Sequence, residues 1–368
     1  MALMQKGGPL LVGLSFAIAN VDDTILAFVG GGLADKYGRK PFLIFSALFY
    51  LLGSLLFLLS LPLHGLLAQI LLFLVTVCLY GMTGISSAPA SAIVAESVDS
   101  KELGKSFSLL FTASLLARAL GSLTLGVIYE KNALAAGCVI LALSLIAVIS
   151  RLFLRETLKL NQARVRSSWG TYFKETLKQT RDLLGVASLV YLMFFVICNG
   201  LAHGISGNYY APYLEDVLDM DEAILGSIFS ALTLLQLVFT PVAGWLVDRR
   251  GDLIALVLGN VAAGVFVLVF ALSRSSVVAI PAMLISAGLG VFHGIGYNTM
   301  VARLSEQNFR ATLYGSLEAV WNAMFVLGPF IGGVLYLGNP ALPFVITSAL
   351  LLLTLISIRR LKVATTFS

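Results

Sequence analysis

The sequence predicts an all-α, polytopic membrane protein, and three observations carry that prediction. Of the 368 residues, 58% are apolar and only 12% are charged, and the mean hydropathy is +0.95. An average soluble protein carries about 25% charged residues. Apolar runs of about twenty residues follow one another, each long enough to cross the hydrocarbon core as a helix. The runs show no period-two alternation, which argues against a transmembrane barrel.

Charges, prolines and glycines divide the chain into eleven predicted spans. They are 9–34, 41–61, 66–95, 104–130, 132–154, 184–211, 221–247, 252–273, 276–303, 309–337 and 341–360. The long connection, 155–183, holds aromatic residues at near-helical spacing with basic residues between them. This pattern predicts an amphipathic helix lying on the membrane surface, and a solvated linker is the alternative.

The basic residues predict the orientation of the spans. Twenty of the 24 Lys and Arg residues fall in loops on one side, whereas the acidic outer loop 212–222 has neither residue type. Loops rich in Lys and Arg stay in the cytoplasm. We therefore expect a multi-pass protein of the cell membrane whose long central loop and C-terminus are cytoplasmic. These loops also account for the basic pI without a nucleic-acid partner.

The chemistry expected of an enzyme is not visible in the sequence. The Gly-Lys-Ser triplet at 104–106 lacks the earlier glycine of a phosphate-binding loop. No nucleophile–base arrangement and no metal-ligand spacing is seen, so we predict no catalytic residue, cofactor or metal. Three cysteines fall inside spans and are predicted to be small core residues: Cys78, Cys138 and Cys198.

Two segments of the sequence recur. GGLADKYGRK at 31–40 matches GWLVDRRGD at 244–252, since both contain Gly-x-Leu-x-Asp-basic-x-Gly. The first glycines of the two patterns, Gly31 and Gly244, are 213 positions apart. The segment 103–129 aligns without gaps with 310–336, at an offset of 207 positions. Such self-similarity indicates a duplicated unit. We predict an N-terminal helical bundle (1–154), a cytoplasmic linker (155–183) and a C-terminal helical bundle (184–368).

The repeated loop resembles a known family. The pattern Gly-x-Leu-x-Asp-basic-x-Gly at 31–40 resembles the loop between the second and third helices of the major facilitator superfamily. Its degenerate copy at 244–251 stands where that family repeats the loop. The resemblance covers the whole chain and implies two pseudo-symmetric bundles around a cavity that opens alternately to each side. Only eight residues precede 9–34, so the family's first helix has no counterpart and five plus six spans are expected. Either the start of the chain is truncated or misplaced, or the protein is a natural variant without this helix.

The resemblance implies a gate on the cytoplasmic side. Ion pairs between the loop and Glu96 or Asp99 would hold the bundles together there and break during transport. Surface charge that only fixes topology is the alternative. The predicted gate comprises Gly31, Asp35, Lys36, Gly38, Arg39, Lys40, Glu96, Gly244, Asp248, Arg249 and Gly251.

Two adjacent aspartates, Asp22 and Asp23, lie inside the first span. A charge at the bilayer centre costs at least about 2.5 kcal/mol, so a lipid-facing position is unfavourable. On a helical wheel Asp23 is nearer than Asp22 to a stripe of small residues, and Arg118 lies at a similar depth. Either Asp23 and Arg118 form a structural salt bridge, or the pair titrates as the bundles move. The predicted proton-coupling residues are Asp22, Asp23, Arg118 and Glu318.

Polar residues of the C-terminal half predict a substrate cavity. The resemblance places family helices seven and ten on the cavity, here 184–211 and 276–303. Each histidine taken alone is more typical of helix packing than of ligand binding. The predicted cavity residues are Asn199, His203, His293, Tyr297, Asn298, Trp321 and Asn322.

We expect from these features a secondary transporter of small organic molecules, driven by protons or another coupling ion. The expected partners are the substrate, the ion and the lipid bilayer, for a protein acting as a monomer. Export is the first expectation, and uptake of a sugar or organic acid is the alternative within the class. A non-transporting membrane sensor, or a degenerate truncated paralogue, is the alternative from another class.

Overall fold

The computed structural model describes residues 21–158, 174, 178, 187–220, 222–305, 307 and 310–366. In these ranges the regular secondary structure is helical, and turns and short loops join the helices. Helix α1 covers 21–37. The others are α2 (Arg39–Ser60), α3 (Gly65–Ser97), α4 (Leu103–Lys131), α5 (Ala133–Leu152), α6 (Ala187–Gly207), α7 (Tyr210–Asp216), α8 (Glu222–Arg250), α9 (Asp252–Leu272), α10 (Ser276–Leu304), α11 (Arg310–Gly338) and α12 (Leu342–Thr366).

The two copies of the repeated loop make the same turn. Gly38 separates α1 from α2 with φ of 106°, and Gly251 separates α8 from α9 with φ of 93°. Residues with a side chain rarely adopt positive φ, so glycine is required at both positions. The glycine of each loop therefore allows one long helix to end and the next to begin within a single residue.

The contacts within the chain define two units. Unit 1 comprises Met1–Ser97, Arg118–Leu177 and Ser305–Asn322, and unit 2 comprises Val98–Ala117, Lys178–Leu304 and Ala323–Ser368. Each unit thus includes a segment from the other half of the sequence. These segments are the first halves of α4 and α11 with the loops that precede them. The predicted bundles at 1–154 and 184–368 stay a prediction.

Small residues allow the helices of unit 1 to approach closely. Helix α2 packs against α3 and α5, and the hydroxyls of Ser54 and Ser144 are hydrogen-bonded across the α2–α5 contact at 2.8 Å. A Cβ added to Gly315 of α11 would lie 2.3 Å from the Ala27 carbonyl oxygen of α1. Such contacts between small residues are typical of helix association in membranes.

Unit 2 combines glycine contacts with an aromatic core. A Cβ on Gly328 of α11 would lie 2.4 Å from the Gly204 backbone of α6. At one end of the unit, Tyr213, Phe270 and Phe344 are packed with ring centroids 4.9–5.1 Å apart. Their contacts join α7, α9 and α12, and the Tyr213 hydroxyl donates to the Ala271 carbonyl at 3.0 Å.

The predicted fold class is confirmed: within the described ranges the chain is all-helical, and ten helical stretches are long and apolar enough to cross a membrane. The amphipathic helix predicted in 155–183 lies almost entirely outside the described residues. Cys78 and Cys198 are buried, as predicted. The prediction was wrong for Cys138, which is exposed on α5, because a hydrophobic span contains outward-facing positions as well as packed ones.

Candidate functional site

An acid cluster joins three helices of unit 1. The Asp23 carboxylate of α1 accepts a hydrogen bond from the Thr83 hydroxyl of α3 at 2.8 Å. Its other oxygen accepts from the Asn322 amide of α11 at 2.6 Å. A Cβ on Gly84 would lie 2.7 Å from the Asp23 carbonyl oxygen. Glycine at 84 therefore lets α3 approach α1 closely enough for Thr83 to reach the carboxylate.

A second contact of the acid cluster lies one helical turn away. The Ser87 hydroxyl of α3 donates a short hydrogen bond to the Glu318 carboxyl group of α11. Ser87 follows Thr83 by four residues, and Asn322 follows Glu318 by four. Because a helix rises about 6 Å over four residues, the two carboxyl groups lie at neighbouring levels. Asp23, Thr83, Ser87, Glu318 and Asn322 form the acid cluster.

The predicted pair of Asp23 with Arg118 is not formed in this structure. In the described part of the chain no ion pair joins them, and the Arg118 side chain is exposed on α4. Neutral hydrogen-bond donors occupy the Asp23 carboxylate instead. Asp22 also lies against α3, where its carboxylate oxygen would be 3.0 Å from a Cβ added to Gly81. Both neighbouring aspartates therefore contact α3, at Gly81 and at Gly84.

A buried ion network lies at the end of unit 1 that carries the repeated loop. The Arg39 guanidinium is 2.6 Å from the Asp35 carboxylate and 3.0 Å from the Glu96 carboxylate. The same guanidinium donates to the Gln307 carbonyl at 2.7 Å. These side chains are at most 4% exposed. We call Asp35, Arg39, Glu96 and the Gln307 carbonyl the first latch. Of the two acids proposed from the sequence, Glu96 lies in it; no ion pair of Asp99 is found in the described part of the chain.

Asp35 also caps the start of α11. Its carboxylate accepts from the Thr312 backbone amide at 2.6 Å and from the Ala311 amide at 3.3 Å. Amides at a helix N-terminus lack partners within the helix, and a carboxylate there also interacts favourably with the helix dipole. The start of α11 is therefore tied to the last turn of α1.

Residues that follow α5 complete the first latch. The Glu156 carboxylate accepts from the Arg39 and Lys40 amides, both at 3.0 Å. The Thr157 hydroxyl donates to Glu96, and its carbonyl accepts from the Gln307 side chain at 3.1 Å. Sequence analysis missed Glu156 and Thr157. The available signal was the start of α2, which has a glycine at its N-cap and needs an acceptor from elsewhere.

The repeated loop makes the equivalent contact in unit 2. The Asp248 carboxylate accepts from the Gly104 amide at 2.7 Å and from the Lys105 amide at 2.8 Å. Adding 207 to 104 and 105 gives 311 and 312, the positions that Asp35 caps. A Cβ on Gly244 would lie 2.6 Å from Ser108. The two repeats found in the sequence therefore meet each other twice, once in each unit.

The remaining predicted gate residues have different surroundings. Lys36 is buried with its ammonium 4.9 Å from the Tyr37 ring centroid. The Arg249 guanidinium lies 5.3 Å from the Trp245 ring centroid. A Cβ on Gly31 would lie 2.3 Å from the Ala311 carbonyl oxygen, so this glycine permits the close crossing of α1 and α11.

Predicted cavity residues of unit 2 form an aromatic and polar group. The His293 ring stacks on Phe195 at 5.2 Å between centroids, and lies 6.4 Å from His203 and 6.3 Å from Tyr297. The Asn260 amide is 3.2 Å from His293 Nδ1 and also donates to the Leu256 carbonyl. Since an amide nitrogen can only donate, His293 Nδ1 accepts and its proton lies on Nε2.

The other predicted cavity residues make different contacts. The amides of Asn199 and Asn298 donate to carbonyls one turn earlier, at 3.0 and 2.9 Å. Trp321 and Asn322 belong to unit 1, and Asn322 is a member of the acid cluster. Thr83, Ser87, Phe195 and Asn260 were missed by sequence analysis, because hydroxyls, amides and single aromatic residues are common in apolar helices.

A comparison with family models finds the Major Facilitator Superfamily over residues 3–198 and 192–365. Among curated proteins, the chain is 29% identical to the quinolone resistance protein NorA of Staphylococcus aureus over 171 residues. That match covers 46% of this chain and 42% of NorA. Multidrug resistance protein 1 of Bacillus subtilis is 26% identical over 39% of this chain and 37% of its own length. The chain thus spans less than half the length of these relatives.

Solved structures share the fold over nearly the whole chain. The human organic anion transporter MFSD10 matches 94% of this chain and 83% of its own with a TM-score of 0.78 and 17% identity. The Escherichia coli fucose:proton symporter FucP matches 96% and 91% with a TM-score of 0.77 and 16% identity. A bacterial homologue of the iron transporter ferroportin matches 98% of this chain and 93% of its own with a TM-score of 0.78 and 16% identity. At these identities the likeness concerns the fold alone.

Proposed function

The chain belongs to the major facilitator superfamily and is a membrane transporter rather than an enzyme; from that premise we propose that it exports small organic solutes in exchange for protons. In this proposal the helical bundles expose a binding site alternately to the two sides of a cell membrane. The loops rich in Lys and Arg, including 155–183, lie in the cytoplasm. The protein acts as a monomer.

The acid cluster is the observation that carries proton coupling. Asp23 and Glu318 accept hydrogen bonds from neutral groups, and within the described residues neither carboxyl group has an ion-pair partner. Acidic groups inside membrane helices are costly, and they commonly mark proton relays or ion pathways. A carboxyl group held by neutral donors can bind and release a proton without breaking a salt bridge. This arrangement supports titration over a purely structural pair.

The curated relatives support export. The names of NorA and of multidrug resistance protein 1 refer to resistance against quinolones and drugs, which efflux of small organic molecules would provide. The partly exposed aromatic group around His293 offers flat apolar surface for such solutes. Uptake of a sugar or organic acid is the second candidate, because FucP, which shares the fold, is a fucose:proton symporter.

Transport in membrane vesicles of both orientations tests the proposal. Exchange of solute for protons predicts that inside-out vesicles with an acidic lumen accumulate a fluoroquinolone or ethidium. Import with protons predicts instead that right-side-out vesicles in acidic medium accumulate fucose or an organic acid. Vesicles that contain the Asp23→Asn variant at the same protein level are the matched control. Accumulation in either orientation that is the same with and without the pH gradient would overturn proton coupling.

A further inference from the structure

Asn260, on α9, is buried beside the His293 ring of α10. Its amide nitrogen donates to the Leu256 carbonyl at 2.9 Å and lies 3.2 Å from His293 Nδ1. A carbonyl oxygen can only accept, so the atom of Asn260 that faces it is the nitrogen, and the orientation of the amide is determined. His293 Nδ1 therefore accepts a hydrogen bond, and the Nε2–H of the ring points away from Asn260.

The His293 ring is held on several sides. A Cβ on Gly259 would lie 2.5 Å from the His293 backbone nitrogen, so glycine permits α9 and α10 to pack closely. Phe195 of α6 stacks on His293 with 5.2 Å between ring centroids and 20° between ring planes. The Tyr297 ring, one turn later on α10, lies within 4° of the same plane. The aromatic neighbours therefore fix the plane of the ring, and Asn260 fixes its tautomer.

The exposure of this group increases from α9 towards the histidines. Asn260 is 1% exposed and Phe195 is 0% exposed. His293 is half-buried, and His203 of α6, whose ring centroid is 6.4 Å away, is exposed. Ionisable groups inside membrane helices rarely face lipid and commonly mark substrate pathways. A solute on such a pathway reaches the histidines but not Asn260, so Asn260 acts on it through His293.

Asn260 is held at a cost to stability. Its Oδ1 is buried and accepts no hydrogen bond within the described part of the chain. A buried polar atom without a partner is destabilising, and an apolar side chain of similar size would avoid that cost. The amide nitrogen is the atom of this side chain that has partners, and His293 is one of them. Recognition of a solute explains such a residue better than packing does.

The same contact disfavours a second proton on His293. A hydrogen on Nδ1 would lie opposite the hydrogens of the Asn260 amide. Turning the amide over would bring its oxygen against the Leu256 carbonyl oxygen instead. Within the described part of unit 2, the titratable groups beside the ring are His203 and Tyr297, and neither is negatively charged at neutral pH. His293 is therefore kept neutral, as a hydrogen-bond donor.

We propose that Asn260 is a positioning residue for solute recognition, which holds His293 as the Nε2–H tautomer so that the ring donates a hydrogen bond to the solute. The solutes selected are planar molecules with a carbonyl or carboxylate oxygen, because flat rings and one directed donor line the site. This proposal rests on the proposed transport function and specifies its substrate class. Proton coupling stays with the acid cluster. An asparagine that only packs α9 against α10 is the competing explanation.

The tautomer is measured first, in the unaltered protein. The chain has three histidines, and nitrogen NMR of protein labelled at histidine distinguishes a ring nitrogen that carries hydrogen from one that does not. The variants His64→Gln and His203→Gln assign the signals. We expect a neutral His293 with its proton on Nε2, and a mixture of both tautomers in Asn260→Leu. A proton on Nδ1, an imidazolium at neutral pH, or a tautomer that does not respond to Asn260→Leu would overturn the proposal.

Solute binding without a gradient is measured next. A fluoroquinolone has keto and carboxylate oxygens, whereas ethidium is planar but has no such acceptor. Asn260→Leu should raise the Kd of the fluoroquinolone about two- to tenfold, as for loss of one hydrogen bond, and leave that of ethidium unchanged. The melting temperature should stay the same or rise. An asparagine with a packing role alone predicts a lower melting temperature and equal changes of Kd for both solutes.

The control is Thr240→Val, which removes another buried donor of unit 2, bonded to the Gln236 carbonyl one turn earlier at 2.6 Å. It should leave both Kd values unchanged. His293→Phe keeps an aromatic ring without nitrogens, and adding Asn260→Leu to it should change the Kd no further, because residues that act through one another are not additive. Additive effects of the two substitutions would overturn the proposal.

The outcomes separate this proposal from the proposed function. Binding requires no pH gradient, so a Kd that depends on Asn260 in a protein that moves no protons would support the positioning role and refute proton exchange. Proton-coupled export with a Kd indifferent to Asn260 would refute the positioning role alone. Failure of the unaltered protein to bind a fluoroquinolone would overturn the substrate class.

Discussion

Replacing Asp23 by asparagine removes the titratable group of α1 while it keeps the shape of the side chain. Thr83 can still donate to the amide oxygen, but the amide nitrogen then faces the Asn322 nitrogen unless one of the two amides turns over. Exchanging a charged acceptor for a neutral one weakens each bond by about 1 kcal/mol. Neutralising a partly buried carboxylate recovers some of its desolvation cost. We therefore expect the free energy of unfolding to change by less than about 2 kcal/mol.

Transport by the Asp23→Asn variant should respond differently from stability. If Asp23 binds the coupled proton, accumulation driven by a pH gradient should fall to the level of vesicles without the protein. Exchange of labelled for unlabelled solute needs no net proton movement and should survive in part. The assay measures both activities at matched protein levels, together with the melting temperature. Asp22→Asn is the matched control on the same helix, and we expect it to retain gradient-driven accumulation.

The reverse placement of the acid sharpens this prediction. In the double variant Asp23→Asn, Asn322→Asp, the same carboxylate–amide pair is formed with the acid on α11. If the cluster requires an acid at this place, gradient-driven accumulation should return in part. Gradient-driven accumulation by the single Asp23→Asn variant at the level of the unaltered protein would refute the coupling role of Asp23.

Three further substitutions test other parts of the account. Glu318→Gln should abolish gradient-driven accumulation but leave exchange measurable, and an unaltered dependence on the pH gradient would contradict its role. Gly315→Ala places a methyl group 2.3 Å from a backbone oxygen of α1, so we expect a loss of about 1–3 kcal/mol in thermal unfolding. The control is Gly121→Ala, because a Cβ added at Gly121 has no atom within 4 Å, and we expect it to leave the melting temperature unchanged. Equal melting temperatures for the Gly315→Ala and Gly121→Ala variants would contradict the close crossing of α1 and α11. Asp35→Asn removes a charged helix cap worth about 1 kcal/mol. It should speed thiol labelling of a Ser316→Cys reporter by a reagent added on the side of the Lys- and Arg-rich loops, whereas unchanged labelling and turnover would speak against a gate.

Hydropathy predicted the helices because a spanning segment in a bilayer must be apolar and must satisfy its own backbone hydrogen bonds. The repeated loop likewise led to Asp35 and Asp248, since both halves use a carboxylate at the same place to cap a helix. These features follow from local sequence and from duplication. Neither requires knowledge of which helices are neighbours.

Partners across helices could not be predicted in the same way. Arg118 lies at a suitable depth for Asp23, but depth along a span does not determine which face meets which helix. In the structure Asp23 is instead hydrogen-bonded to Asn322, which is 299 positions away in the sequence.

Proton movement driven by a solute gradient is the most direct test of the central claim. Purified protein is reconstituted into liposomes that contain a pH-sensitive dye, and an outward or inward gradient of a transported solute is imposed without a pH gradient. The account predicts that protons move opposite to the solute in the unaltered protein and that this movement is absent with Asp23→Asn. Solute movement without any proton movement in the unaltered protein would contradict proton coupling, and protons moving in the same direction as the solute would contradict exchange.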